Sequence, residues 1–232
     1  MVAVQTVLIT GANRGIGLEL VKQLVTGCFF PSPKFVFAAA RNPEDATELR
    51  NLQKKIIRDG LGLDLLINNA GYLKRLHLDE IDRKELIKHF DVNAVGPFMV
   101  TKTFLPLLRK SASMKISNKV GLNRCVVVTI SSGLGSITNY MPPSSEAIDR
   151  VLAYRISKAS TNMVTRVFSK ELEEDGILNV AFHPGWVQTD MGSRNAAVPV
   201  QDCVASILAS MLTLDQSSNG LFLSRDGSVI AF

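Results

Sequence analysis

The stretch Val4-Gln5-Thr6-Val7-Leu8-Ile9-Thr10-Gly11-Ala12-Asn13-Arg14-Gly15-Ile16-Gly17 decides the fold. Its first seven residues, Val4–Thr10, are a short β-branched-rich run of the kind that makes a buried strand. Gly11 ends the run, and Ile16, Leu20 and Leu24, with Leu18 and Val21 beside them, then repeat at helical spacing. A strand-to-helix turn this tight needs glycine where φ is positive or where backbone must approach a ligand. The helix that follows offers free N–H groups and the positive end of its dipole to a pyrophosphate. Spaced as G-x-x-x-G-x-G after a first strand, Gly11, Gly15 and Gly17 point to a dinucleotide, with Asn13, Arg14 and Ile16 in the same turn.

Working outward, a second buried-type strand covers Lys34–Ala40, and Arg41-Asn42-Pro43 closes it and opens a helix near Glu44–Lys55. Further strands are predicted at Asp64–Asn68, Cys125–Ile130, Leu178–Phe182 and Leu221–Ser224. Helices fit Asp79–Phe90, Gly96–Lys110, Ala153–Asp175 and Val200–Leu214. Strands that are continuously apolar and alternate with helices predict an α/β fold, a single Rossmann-type doubly wound parallel sheet with helices on both faces. No repeat or linker interrupts residues 1–232, which read as one dinucleotide-binding and catalytic domain. One βα unit is missing from the pattern: residues 55 to 64 leave no room for the strand and crossover helix, about thirty residues, that such a half-sheet normally carries there. Either the chain has lost that unit or the sequence is short by that stretch.

Composition fits this reading and narrows the alternatives. The chain has 232 residues, 46% apolar and 20% charged, so it can bury one sizeable core and is not of the disordered class. Its longest apolar runs, such as Phe35–Ala40, are far too short to cross a bilayer, and Met1 leads almost directly into a strand, which predicts a cytoplasmic protein without a signal peptide. Cys28, Cys125 and Cys203 are odd in number and lack metal spacing, and His77, His89 and His183 are unclustered, so no metal is expected. The net charge is +5. Its densest basic stretch, Arg109–Arg124, lacks interleaved aromatics and reads as a solvated connection, not a nucleic-acid site.

The second strand ends Ala38-Ala39-Ala40-Arg41 with no acid before Glu44. An acidic residue there would bind a free ribose 2′-hydroxyl and repel a phosphate. Arg41 and Arg14 are instead suited to clamp a 2′-phosphate, and the expected cofactor is NADP(H). Tyr154 and Lys158 stand four residues apart and share one helical face. A lysine cation beside a phenol is expected to stabilise the phenolate and lower its pKa, making Tyr154 a usable general acid. The fourth predicted strand ends in Ser131-Ser132-Gly133 and the third in Asn68-Asn69-Ala70-Gly71, both at the carboxyl edge where open α/β sheets hold ligands.

Taken in order, Thr10-Gly11-x-x-x-Gly15-x-Gly17, Asn68-Asn69-Ala70-Gly71, Asn93, Ser131-Ser132, Tyr154-x-x-x-Lys158 and Pro184-Gly185 resemble the classical short-chain dehydrogenase/reductases over nearly the whole chain. Ser131 to Ile137, Ala153-Tyr154-Arg155, His183 to Gly192 and Arg225-Asp226-Gly227 resemble more narrowly the C-factor/sniffer-like carbonyl reductase branch. The resemblance implies reduction of a ketone, aldehyde or quinone by hydride transfer, with Tyr154 as proton donor and Lys158 tuning it and holding the nicotinamide ribose. It implies that Ser132, the second serine of its pair, polarises the carbonyl and that Asn93 kinks its helix and anchors a relay water. Asn69, Ala70 and Gly71 would then pass beside the adenosine, and Pro184, Gly185, Val187 and Thr189 would contact the nicotinamide amide. The implied partner is a small-molecule carbonyl substrate, with no nucleic acid, no membrane and pairing of two copies through the longest helices. Departures from the family pattern are the missing βα unit, the lengthened Thr138–Leu152 connection and the short segment after Thr189. Two other readings remain: a dinucleotide-binding signalling protein with little turnover, and an inactive shortened form.

Overall fold

The computed structural model describes residues 4–27, 32–40, 62–115, 120–141 and 150–232. Arg41, the helix expected at Glu44–Lys55, Cys28 and the Pro142-Pro143 pair lie outside these residues. In chain order the elements are β1 (Thr6–Thr10), α1 (Gly15–Thr26), β2 (Phe35–Ala39), β3 (Leu65–Asn68), α2 (Arg83–Phe90), α3 (Gly96–Met114), β4 (Val126–Ile130), α4 (Leu152–Glu171), β5 (Leu178–His183), α5 (Val200–Leu212) and β6 (Phe222–Ser224). The six strands form one parallel sheet in the order β2-β1-β3-β4-β5-β6.

Side chains alternate across this sheet, and each face is covered by helices, as a parallel sheet requires. On one face Val7, Ile9, Leu65, Ile67, Val126, Val128, Val180 and Phe182 pack against Leu20 and Leu24 of α1 and Val204, Ile207, Leu208 and Met211 of α5. On the other, Leu8, Leu66 and Val127 pack against Phe104, Leu107 and Leu108 of α3 and Phe168 of α4. Both sets are removed from water almost completely, and truncating one such leucine to alanine costs about 2–5 kcal/mol.

The chain leaves β1 toward β2 on one side and returns to β3 on the other, so the loops after β1 and β3 diverge from neighbouring strands. That divergence opens a crevice at the carboxyl edge, the place where this architecture binds ligands. Among the described residues β2 is the end strand. Its pattern of exposure differs from the buried β1, β3 and β4, and Phe35 is 40% exposed.

Several element ends differ from the sequence reading. The expected helix Asp79–Phe90 is broken into a 3₁₀ turn at Leu78–Glu80 and α2, because Asp82 turns its carboxylate to the Glu85 N–H (2.8 Å) and caps a new helix there. The helix expected to reach Asp175 ends at Glu171, and Gly176, at φ 68°, turns the chain into β5. Asp91–Val95 forms a π-helical turn between α2 and α3.

Candidate active site

Three carboxyl-edge loops meet at the crevice. In the first, Arg14 is the N-cap of α1 in extended backbone, and its side chain makes no capping bond, so the opening amides of α1 are left for another acceptor. Two glycines are forced by space. A Cβ on Gly11, itself at φ 65°, would lie 2.9 Å from Ala70 Cα; one on Gly17 would strike Gly11 O and lie 2.5 Å from Asn69 Nδ2. The second loop is tied to the first. Asn69 N–H and Ala70 N–H both donate to Thr10 Oγ1 (3.0 and 3.1 Å), and Asn69 Nδ2 donates to Thr10 O and Gly11 O (3.0 and 3.1 Å). Glycine turn and Asn-Asn-Ala-Gly loop therefore move as a unit, lining one wall with backbone amides.

The third group stands on β4 and α4. Tyr154 and Lys158 are buried on the same face of α4, with the Lys158 nitrogen 5.7 Å from the Tyr154 ring centroid. Lys158 Nζ donates to Ile130 O at 2.8 Å, which fixes the ammonium beneath the end of β4. The two serines that follow face opposite ways: Ser131 Oγ donates to Asn162 Oδ1 (2.6 Å) inside the fold, while Ser132 Oγ accepts from Leu134 N–H (3.2 Å) and lies on the side of the Tyr154 phenol. Burial pushes the Tyr154 phenol up to about 12 against a partial opposing effect of the nearby Ser132 hydroxyl, and burial brings Lys158 down to about 8. This corrects the expected lowering of the tyrosine by its lysine neighbour: burial of the phenol dominates, and it stays protonated at neutral pH.

Asn93 sits within the π-helical turn, fully buried. Its side chain accepts from Tyr72 N–H (2.8 Å) and donates to Tyr72 O and Ser157 Oγ (both 2.9 Å), while its carbonyl accepts from Thr161 Oγ1 (2.7 Å). Asn93 thus joins the Asn-Asn-Ala-Gly loop to α4, one turn from Lys158. Ser157 and Thr161 went unremarked in the sequence, although both lie on the Tyr154 face at helical spacing.

Beyond β5, Pro184 O accepts from Cys203 Sγ (3.3 Å) and Gly185 N–H donates to His183 Nδ1 (3.4 Å). Burial, with Arg225 nearby, holds the His183 imidazole below its usual pKa. Val187 pairs with Val198 in an isolated parallel bridge, and Thr189 Oγ1 accepts from Gly192 N–H (3.1 Å). The loop that carries Ser132 is held from the far end of the sequence: Ser136 Oγ donates to Ala231 O (2.6 Å), and Thr138 N–H and Oγ1 donate to Phe232 O (2.8 and 2.5 Å). Phe232 is itself stacked on Phe222 of β6, ring centroids 6.0 Å apart.

Comparison with known proteins agrees with this geometry. Residues 31–198 match the family model described as short chain dehydrogenase, and the chain belongs to that family of oxidoreductases. It is 33% identical to C-signal of Myxococcus xanthus over 169 residues, covering 72% of this chain and 92% of that protein. It is 28% identical to an uncharacterized oxidoreductase of Schizosaccharomyces pombe, covering 97% of this chain and 96% of the relative. Among solved structures, carbonyl reductase Sniffer of Drosophila melanogaster superposes with a TM-score of 0.84 at 33% identity, covering 98% of this chain and 99% of that one. An NADPH-bound carbonyl reductase from chicken fatty liver gives 0.84 at 34% identity, covering 99% and 100%. No described helix is long and apolar enough to cross a membrane, and no metal-binding cluster occurs among the described residues.

Proposed function

We propose that residues 1–232 form one catalytic domain that reduces a small-molecule carbonyl to an alcohol with NADP(H). The observation that carries this is the placement of the buried, protonated Tyr154 phenol and of Lys158 on one helical face at the end of β4 beside Ser132, with Lys158 anchored to Ile130 O. The coenzyme fits the residues present. Open α1 amides, the cradle that a side chain at Gly11 or Gly17 would fill, and the Asn69–Gly71 wall suit a pyrophosphate and its nucleoside. Gly15, Asn13 and Ile16 complete the turn, and in this reading Pro184, Gly185, Val187 and Thr189 of the loop after β5 would take the nicotinamide end. Arg14, with Arg41, recognises the 2′-phosphate. The similarity to NADPH-bound carbonyl reductase supports the same choice.

When bound, the dihydronicotinamide supplies a hydride to the carbonyl carbon. The Ser132 hydroxyl donates to the carbonyl oxygen and Tyr154 Oη gives that oxygen its proton. The buried phenol carries its proton at neutral pH, and giving it up calls for stabilisation of the phenolate left behind. Lys158, anchored by Ile130 O, lies where a phenolate forms after proton loss and offsets its charge. Asn93 holds α4 against the coenzyme wall through Ser157 and Tyr72.

The test is oxidation of NADPH, followed optically, by the purified chain with aldehydes, ketones and quinones, beside Tyr154→Phe. Loss of the proton donor lowers turnover by about 10²–10⁴-fold while coenzyme binding persists. Equal turnover in both proteins refutes the assignment, and tight binding without turnover in the wild type favours a signalling role, the direction to which C-signal similarity points.

A further inference from the structure

The loop after β5 reaches across the crevice to its opposite wall, where Asp190 makes a bonded contact and its neighbours Thr189 and Met191 come close to two glycines. Its neck is closed by Val198 N–H to Trp186 O (3.1 Å) and Gln188 N–H to Val198 O (2.9 Å). Its tip is braced by Ser193 N–H to Thr189 O (2.9 Å), and by the Trp186 indole N–H to Gly192 O. At the tip, the Thr189 methyl stops 3.3 Å from where a side chain at Gly15 would begin. Asp190 Oδ2 meets Arg14 Nη1 at 3.1 Å. The Met191 methyl ends 3.9 Å from the corresponding position at Gly71. Arg14 belongs to the turn that Ala12 N–H fastens to Ala39 O (3.1 Å), at the end of β2. Arg14 therefore joins the loop tip to the turn that is fastened to the end of β2, the strand end proposed above to lie near a 2′-phosphate.

We infer that Asp190 and the 2′-phosphate compete for Arg14, which makes Asp190 a residue that narrows the preference for NADP(H) over NAD(H). The inference rests on the coenzyme reading above. The pair is a single contact between side chains 64% and 77% exposed, and such pairs contribute little and exchange readily. A phosphate is the stronger acceptor because it takes two parallel guanidinium bonds and carries more charge. With NADPH, Arg14 turns to the phosphate and Asp190 is released. With NADH nothing displaces the carboxylate, and the Arg14–Asp190 pair keeps the loop tip closed over the coenzyme. Asp190 thus opposes the phosphorylated coenzyme and favours the unphosphorylated one.

The experiment titrates wild type and Asp190→Asn with NADPH and with NADH, read by nicotinamide fluorescence at low and high salt. The substitution is isosteric and exposed, so the fold is retained; matching melting curves check this. In Asp190→Asn, NADPH binds as tightly as before or tighter and NADH binds more weakly, each change reaching at most about fivefold, the equivalent of ~1 kcal/mol. The NADPH/NADH affinity ratio consequently rises, and high salt shrinks the difference between the two proteins. A ratio that stays constant or falls overturns the competition while leaving the coenzyme reading intact. A wild type that binds neither coenzyme overturns both.

Discussion

Lys158→Met separates the electrostatics of the site from its packing. In the folded chain burial alone brings the Lys158 ammonium from 10.5 to about 8. Between those values the unfolded chain still binds the proton and the folded chain has released it, so stability rises with pH across the window. At 1.36 kcal/mol for each pKa step, the full rise is ~3 kcal/mol. Tyr154 acts with the opposite sign and only above pH 10, where the unfolded phenol ionises and the folded one, held up to about 12, does not. The buried thiols of Cys125 and Cys203, pushed up from 9.0, oppose the rise within this range, but they and Tyr154 are common to both proteins and cancel in the comparison, which isolates the lysine. Methionine keeps the length of the side chain and removes the charge. It also removes the bond to Ile130 O, a loss that shifts the variant's stability without adding any pH dependence from residue 158. Thermal denaturation of both proteins at pH 7, 8, 9 and 10 is the assay. The wild type gains roughly 5–10 °C on the variant over this range, at ~2–4 °C per kcal/mol for a chain of this size. Two curves that run parallel would refute the claim that Lys158 is held desolvated.

Ser131→Ala and Ser132→Ala distinguish the two faces of the β4 end. The first loses the bond to Asn162 and about 1 kcal/mol of stability with turnover retained, whereas the second loses a donor to the reacting oxygen and on the order of 10²-fold in turnover; chemical denaturation and steady-state rates check the pair, and the reverse pattern would exchange their roles. Gly17→Ala drives a methyl into Gly11 O and the Asn69 amide, costs about 1–3 kcal/mol by overpacking, and weakens NADPH binding in the same titration.

How far the sequence speaks depends on whether the signal is local. The stretch Val4 to Gly17 contains within itself the strand, the forced glycines and the helix start, and each takes the place in the structure that its spacing implies. Continuous apolar runs likewise locate the six described strands to within two residues at either end, because a doubly covered sheet buries every residue of β1, β3 and β4, and even the partly exposed β2 keeps an apolar run. Tyr154 and Lys158 were readable since one helical turn separates them. The 3₁₀ break before α2 was missed because Asp82 acts as a cap only in one backbone conformation, which composition does not reveal. The Arg14–Asp190 contact spans 176 positions and Ser131–Asn162 spans 31, so neither leaves a periodic trace. Nor does spacing report desolvation: the letters place a lysine near a tyrosine, whereas the burial that dominates both groups is a property of the assembled core.

The hold that Ala231 and Phe232 exert on Ser136 and Thr138 ties residues more than ninety positions apart to the same piece of chemistry. A comparison of relatives that trims the ragged tail of an alignment would discard part of the scaffold that holds the Ser132 loop.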